Sequence, residues 1–199
     1  MKHILVATVG VLVLSLAGCN KSEQAAQGAA NSASETADSA GAMASNAMVD
    51  VKQAMSPTPN GMDFANTAAK SDAFEIATSK LAQANATSKE VKDFAAEMIK
   101  AHTDSTSKIK AAAGKASPAI TPDPALTEDQ NEDLAELGKK KGADFDEAYI
   151  DGQVAAHQTT LAMMRDYAER GDTPSLKAVA AEIAPIVQKH LDHAKMLDK

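Results

Sequence analysis

The sequence predicts an all-α fold: a four-helix bundle with a long crossover between the second and third helices that carries a short helix of its own. Three observations carry that expectation. Aromatic residues are only 3% of the chain and tryptophan is absent, while alanine, leucine, methionine and isoleucine supply most of the apolar side chains. Alanine and leucine are strong helix formers, and small side chains let helices approach closely. Four segments of roughly 25 residues repeat apolar residues at the period of an amphipathic helix. Tight turns join these segments in pairs, which makes antiparallel neighbours, and the long middle connection permits a crossover.

Before the bundle, Lys2 and His3 precede an apolar run from Ile4 to Leu16. The run is too short and wrongly flanked to span a membrane, but it suits the core of a signal peptide. It ends in Leu16-Ala17-Gly18-Cys19, which resembles the lipobox of bacterial lipoproteins, where the cysteine is acylated and becomes the new N-terminus. Residues 1–18 are therefore expected to be removed, with Cys19 as the lipidation site. Asn20 follows it, rather than the aspartate associated with inner-membrane retention. The expected location is the periplasmic face of the outer membrane, with the membrane itself as a partner through the acyl chains. Cys19 is the only cysteine, so no internal disulfide is available.

Residues 19–59 are rich in Ala, Ser, Gln, Asn and Gly. Such a composition cannot bury enough apolar surface to offset ordering entropy, and it reads as a flexible tether. Within it Ala44, Met48, Val51 and Met55 recur at helical spacing, giving a short amphipathic helix over 44–55, docked on the domain or a membrane surface, or only transient in a linker. Ser56-Pro57-Thr58-Pro59 marks the boundary, and residues 60–199 form the folded domain.

The first long helix is capped by Asn60 and runs to about Ala86. Thr87 and Glu90 are spaced as a capping box for the second, which continues to Gly114. Three prolines between Ser117 and Pro124 forbid a long helix. Thr127 with Gln130 caps a short one ending near Leu137. Asp144 with Glu147 forms a box for the third long helix, which Gly171 ends. Thr173-Pro174 opens the fourth, cap followed by proline in the first turn. Pro185 lies inside it and should bend the helix without ending it, because the apolar stripe continues on both sides.

Each long helix places a polar residue within its apolar stripe. In the second, His102 shares a face with Val91, Ala95, Met98 and Ile109, opposite Asp93, Glu97, Lys100 and Asp104. In the third, His157 follows Asp146, Ile150 and Val154 and precedes Leu161, Met164 and Ala168. In the fourth, His190 lies with Val179, Ile183, Val187, Ala194 and Leu197, and His193 flanks that stripe. In the first, Glu75 shares a face with Phe64, Ala68 and Ala82, and Asp72 lies close to it. Ile150, Leu161, Ile183 and Val187 are expected core residues. Measured from the turns at ~1.5 Å per residue, the four polar residues all fall near mid-helix. Asp146 is about three turns from His157, too far to share an ion, and suits the start of its helix.

One inward polar residue per helix at a common level is the pattern of an internal bundle site. Glu75, His102, His157 and His190 are therefore the candidate metal ligands. Three imidazoles and a carboxylate suit one transition-metal ion such as zinc, copper or iron, and four protein ligands would close a zinc shell. The competing reading is a non-catalytic interaction or structural module whose histidines are hydrogen-bonded core residues. The chain has 20 basic against 27 acidic residues, so it offers no basic face to nucleic acid. It carries neither a nucleophile triad nor a phosphate-cradling glycine loop, and nothing assigns an enzymatic reaction or a protein partner.

Over residues 62–198 an ordered set of stretches resembles the bacterial exported family known as domain of unknown function 4142. These are Glu75 with Lys80-Leu81-Ala82; Glu90 to Ala95 with Met98 and His102-Thr103; Phe145-Asp146 with Tyr149-Ile150-Asp151 and His157; and Leu176-Lys177 with Ala180, Pro185 and His190-Leu191. The resemblance implies a ferritin-like four-helix fold on an exported or lipidated chain, without an established activity. Ferritin-like di-iron proteins use Glu-x-x-His pairs. Here Ile99, Val154 and Val187 stand three residues before the histidines. The bridging carboxylates are missing, which argues against di-iron oxidation or iron storage.

Overall fold

The computed structural model describes residues 59–198. The expected signal peptide, Cys19, nearly all of the expected tether and the expected 44–55 helix lie outside them. Within them the protein is all-helical, with five helices and no strand: α1 Gly61–Asn85, α2 Lys89–Ala113, α3 Glu128–Lys139, α4 Ala143–Arg170 and α5 Pro174–Leu197. None of these helices is long and apolar enough to cross a membrane.

The ends follow local chemistry, with three departures from the expected caps. Asn60 accepts a hydrogen bond from the Asp63 amide, as an N-cap should. At α2 the cap is Ser88, whose side chain accepts from Val91 N, and not Thr87. Thr87 is diverted, because its hydroxyl donates to the Asp146 carboxylate at 2.7 Å. Thr127 and Gln130 form the reciprocal box at α3, which continues through Gly138 to Lys139. At α4 the expected Asp144 box is absent. The cap is Gly142 at φ 64°, a left-handed backbone that glycine adopts without strain. Thr173 occupies the expected cap of α5 but makes no capping bond, since its hydroxyl donates to Asp172. The α5 helix runs unbroken through Pro185.

The four long helices pack in a ring, α1 against α2, α2 against α5, α5 against α4 and α4 against α1, while α3 rests on α1 and α4. Gly171 lets the α4–α5 turn close. It is buried, and a Cβ there would lie 2.6 Å from the Tyr167 ring. Asp146 ties the α1–α2 turn to the start of α4, accepting from Ser88 N at 2.8 Å and from Thr87 N at 3.0 Å.

The core falls into two apolar clusters. One gathers Phe64, Ile109, Leu161, Met164, Tyr167, Leu176, Ile183 and Val187. The other gathers Val91, Phe94, Met98, Phe145, Tyr149 and Ile150. Burial on α4 is rotated from the stripe read in the sequence: Phe145, Tyr149, Gln153 and Tyr167 are buried, whereas Asp146, Val154 and Ala168 are only half-buried. Aromatic partners cause the rotation. Tyr167 stacks on Phe64 with ring centroids 3.8 Å apart, and Tyr149 shares a hydrogen bond with Ser79 at 2.8 Å.

Candidate metal centre

A buried polar layer lies midway along the long helices. It comprises Asp72, Glu75, Thr78 and Ser79 of α1, His102 of α2, Gln153 and His157 of α4, and His190 of α5. The amphipathic stripes turn these residues inward, and the helix pairing brings their levels together.

The three histidines converge. Ring centroids are 5.6 Å apart for His102 and His157, 6.0 Å for His102 and His190, and 5.5 Å for His157 and His190. One nitrogen from each lies within 4.8 Å of the other two. The remaining hydrogen bonds fix how two of the rings present themselves. His102 Nδ1 donates to Asp72 Oδ1 at 2.8 Å, and Asp72 Oδ2 accepts from the Thr106 hydroxyl at 3.0 Å. His157 Nδ1 donates to the backbone oxygen of Gln153 at 2.8 Å. With the proton on Nδ1 in both rings, the lone pair of each neutral imidazole lies on Nε2. Those two Nε2 atoms and His190 Nδ1 are buried without a hydrogen-bond partner among the described residues, as is Gln153 Oε1, one turn before His157.

Charge in the layer is one-sided. Asp72 and Glu75 are its carboxylates, and among the described residues no lysine or arginine is buried. Burial raises the Glu75 pKa, with the Asp72 charge adding to it while His102 and the Gln153 hydrogen bond oppose it. Burial also disfavours a charged His102. The Asp72 hydrogen bond and the charges of Glu75 and Asp72 outweigh that effect, so its pKa is raised. The other two rings are held neutral. Burial and the neighbouring His102 lower His157 to about 4. Burial and the charges of His157, His102 and His193 lower His190 to about 3.

Of the four candidate ligands, the structure brings His102, His157 and His190 into one group. Glu75 shares their layer but accepts a hydrogen bond from Gln153 Nε2 and is not among the three grouped donors. Asp146 sits at the start of α4, bonded to Thr87 and Ser88. From the sequence Asp72 is placed only close to the inward face, and Gln153 is given no role. Both carry a legible sign, since Asp72 precedes Glu75 by three positions and Gln153 precedes His157 by four, each on the inward side. A cavity of about 310 Å³ opens between α2 and α5, and its lining includes His102 and His190.

Solved structures share this helical architecture at low sequence identity. A DUF305 fragment from Deinococcus radiodurans is 12% identical with a TM-score of 0.60, covering 70% of this chain and 95% of its own. A structure titled CopM in the Cu(II)-bound form is 15% identical with a TM-score of 0.61, covering 71% and 97%. CopM in the Cu(I)-bound form gives 14% and 0.57, covering 69% and 94%. No curated protein matches the sequence. The family model described as Domain of unknown function (DUF4142) matches residues 47–197, and the chain belongs to that family.

Proposed function

We propose that this protein binds one transition-metal ion in the middle of a ferritin-like four-helix bundle, through His102 Nε2, His157 Nε2 and His190 Nδ1. The observation that carries the reading is the grouping of three buried histidines, one nitrogen of each within 4.8 Å of the other two, in which every ring also has a nitrogen without a hydrogen-bond partner among the described residues. A purely structural polar layer satisfies its donors and acceptors, because each unpaired buried group costs about 1–3 kcal/mol. Here the unpaired atoms include one ring nitrogen from each of three helices, and ligation would give each of them a partner.

Charge supports the same reading. Among the described residues no lysine or arginine is buried beside Asp72 and Glu75, and a bound divalent cation would supply the positive charge that favours ionised carboxylates there. Asp72 holds His102 as a carboxylate holds a ligating histidine, fixing the tautomer and raising its basicity. With Glu75 engaged by Gln153, the protein supplies three ligands, and one coordination position remains for solvent or a small ligand beside the α2–α5 cavity. Imidazole ligands favour Cu(II) and Zn(II), with Cu(II) the tighter. CopM, a neighbour with this fold, is known in a Cu(II)-bound form, which makes copper the first ion to test.

An interaction module finds less support. Among the described residues the exposed large hydrophobics are Met62, Ile186 and Met196, one on α1 and two a decade apart on α5.

The same proposal places the bundle in the periplasm, lipidated at Cys19 and carried on residues 20–59 from the outer membrane. The Leu16-Ala17-Gly18-Cys19 sequence supports this. Intact mass of the mature N-terminus tests it, and an unmodified cysteine would count against the anchor. Equilibrium dialysis against Cu(II) and Zn(II) tests the site. About one equivalent should bind to the parent and much less to His157→Ala. Binding well below one equivalent in the parent, or full binding in the variant, would overturn the assignment.

A further inference from the structure

We propose that Glu97, held by His193, is the outer capture point of a loading path that reaches the three histidines through the cavity between α2 and α5. This rests on the metal-binding reading above. Glu97 lies on the outer side of α2, yet its carboxylate bonds one imidazole of α5 and faces a second. Oε2 is 3.1 Å from His193 Nδ1, and Oε1 is 4.0 Å from His190 Nε2. His190 thus faces two ways, with Nδ1 buried in the polar layer and Nε2 toward Glu97.

Exposure falls along this line. The Glu97 and His193 side chains are 48% and 39% exposed, and that of His190 is 7%. The cavity lining follows the same course, from Glu97, Lys100 and Asp104 to His102 and His190. Cations at the rim do not occupy the carboxylate. Lys100 pairs with Asp104 at 3.4 Å and Lys108 with Glu182 at 2.6 Å. The Phe94 ring packs edge-on against His193 at 5.1 Å, which fixes the imidazole beside Glu97.

Such a path lowers the barrier to burying a charge. An ion stripped of water in one step loses most of its hydration energy, whereas stepwise exchange keeps a ligand on it throughout. A carboxylate and an imidazole at the mouth suit a divalent transition-metal ion. The pocket on the other side, between α1, α3 and α4, has Glu75 in its lining but no histidine. Its rim residue Asp129 therefore serves as the control.

The test is stopped-flow uptake of Cu(II) by the folded chain, with release into excess chelator measured on the same samples. Glu97→Gln and His193→Ala should each slow uptake by about tenfold or more. Release should slow by the same factor, because a group on the path lowers the barrier in both directions. Affinity and stoichiometry then stay at the parent values, and Asp129→Asn behaves as the parent. Unchanged rates in Glu97→Gln would overturn the proposal. So would weaker affinity at an unchanged uptake rate, which makes Glu97 a ligand of the final site, or slow uptake in Asp129→Asn, which moves the path to the other face. A parent that takes up no Cu(II) refutes the metal reading itself.

Discussion

Replacing Asp72 with asparagine isolates the role of a buried charge. Asp72 is 4% exposed. Its Oδ1 is 2.8 Å from His102 Nδ1, and its Oδ2 accepts from Thr106. An ion on His102 Nε2, at a bond length of ~2 Å, lies about 6–7 Å from that carboxylate across the ring. At an effective dielectric of ~20, a unit charge attracts a divalent ion at that distance by about 5 kcal/mol. Asparagine still accepts the His102 hydrogen bond, and His102 then competes less well for a proton. The expected loss is therefore the smaller one found for outer partners of ligating histidines, about 10–100-fold in affinity or about 1.4–2.8 kcal/mol. Competition titration with Cu(II) or Zn(II) reads the affinity. Melting at a fixed metal excess reads the same loss as a gain in melting temperature smaller by about 4–12 °C for a domain of this size. Parental affinity in Asp72→Asn, or equal destabilisation with and without metal, would refute the role given to Asp72.

The metal-free protein should lose stability as pH falls from about 6.5 toward 4. His157 and His190 fold with pKa values of about 4 and about 3, below the unfolded value of ~6.5, so the unfolded chain binds more protons in that window. Glu75 and His102 have raised values and act in the opposite sense, losing their contribution as pH rises through their folded pKa. The test is a difference: urea unfolding of His190→Gln across that window should give a flatter slope than the parent. Leu161→Ala and Ile183→Ala remove buried core side chains, and chemical denaturation should show each costing about 2–5 kcal/mol. Asp146→Ala removes the acceptor of Thr87 and Ser88 at the α1–α2 turn. The loss should be about 0.5–2 kcal/mol, the range of a helix cap, seen in the same assay with metal binding unchanged.

The helix boundaries and the three histidines were legible because both depend on local periodicity. Val91, Met98 and His102 define one face of α2 whatever that helix packs against, and all three are buried. What escaped depends on contacts between helices. Asp72 is a charged residue on a stripe rich in alanine, and only the approach of His102 and Thr106 gives it partners. Gln153 is polar in sequence, but its side chain meets Glu75 and its carbonyl meets His157. Face and height both make Glu75 a candidate fourth ligand, and neither tells that an amide on α4 engages its carboxylate. The caps failed for a related reason. Thr87 and Ser88 are adjacent hydroxyls with equal local claims, and Asp146, 59 residues from Thr87, decides between them. At α4, Gly142 starts the helix ahead of Asp144 by taking a backbone conformation that a hydrogen-bonding pattern does not reveal.

The central claim is a single ion on three particular nitrogens, and anomalous diffraction from crystals grown with Cu(II) or Zn(II) locates it most directly. The account predicts one peak at about 2.0–2.1 Å from each of His102 Nε2, His157 Nε2 and His190 Nδ1, with Glu75 still bonded to Gln153. A peak bound elsewhere, or ordered density for all three histidines without a peak at saturating metal, would contradict it.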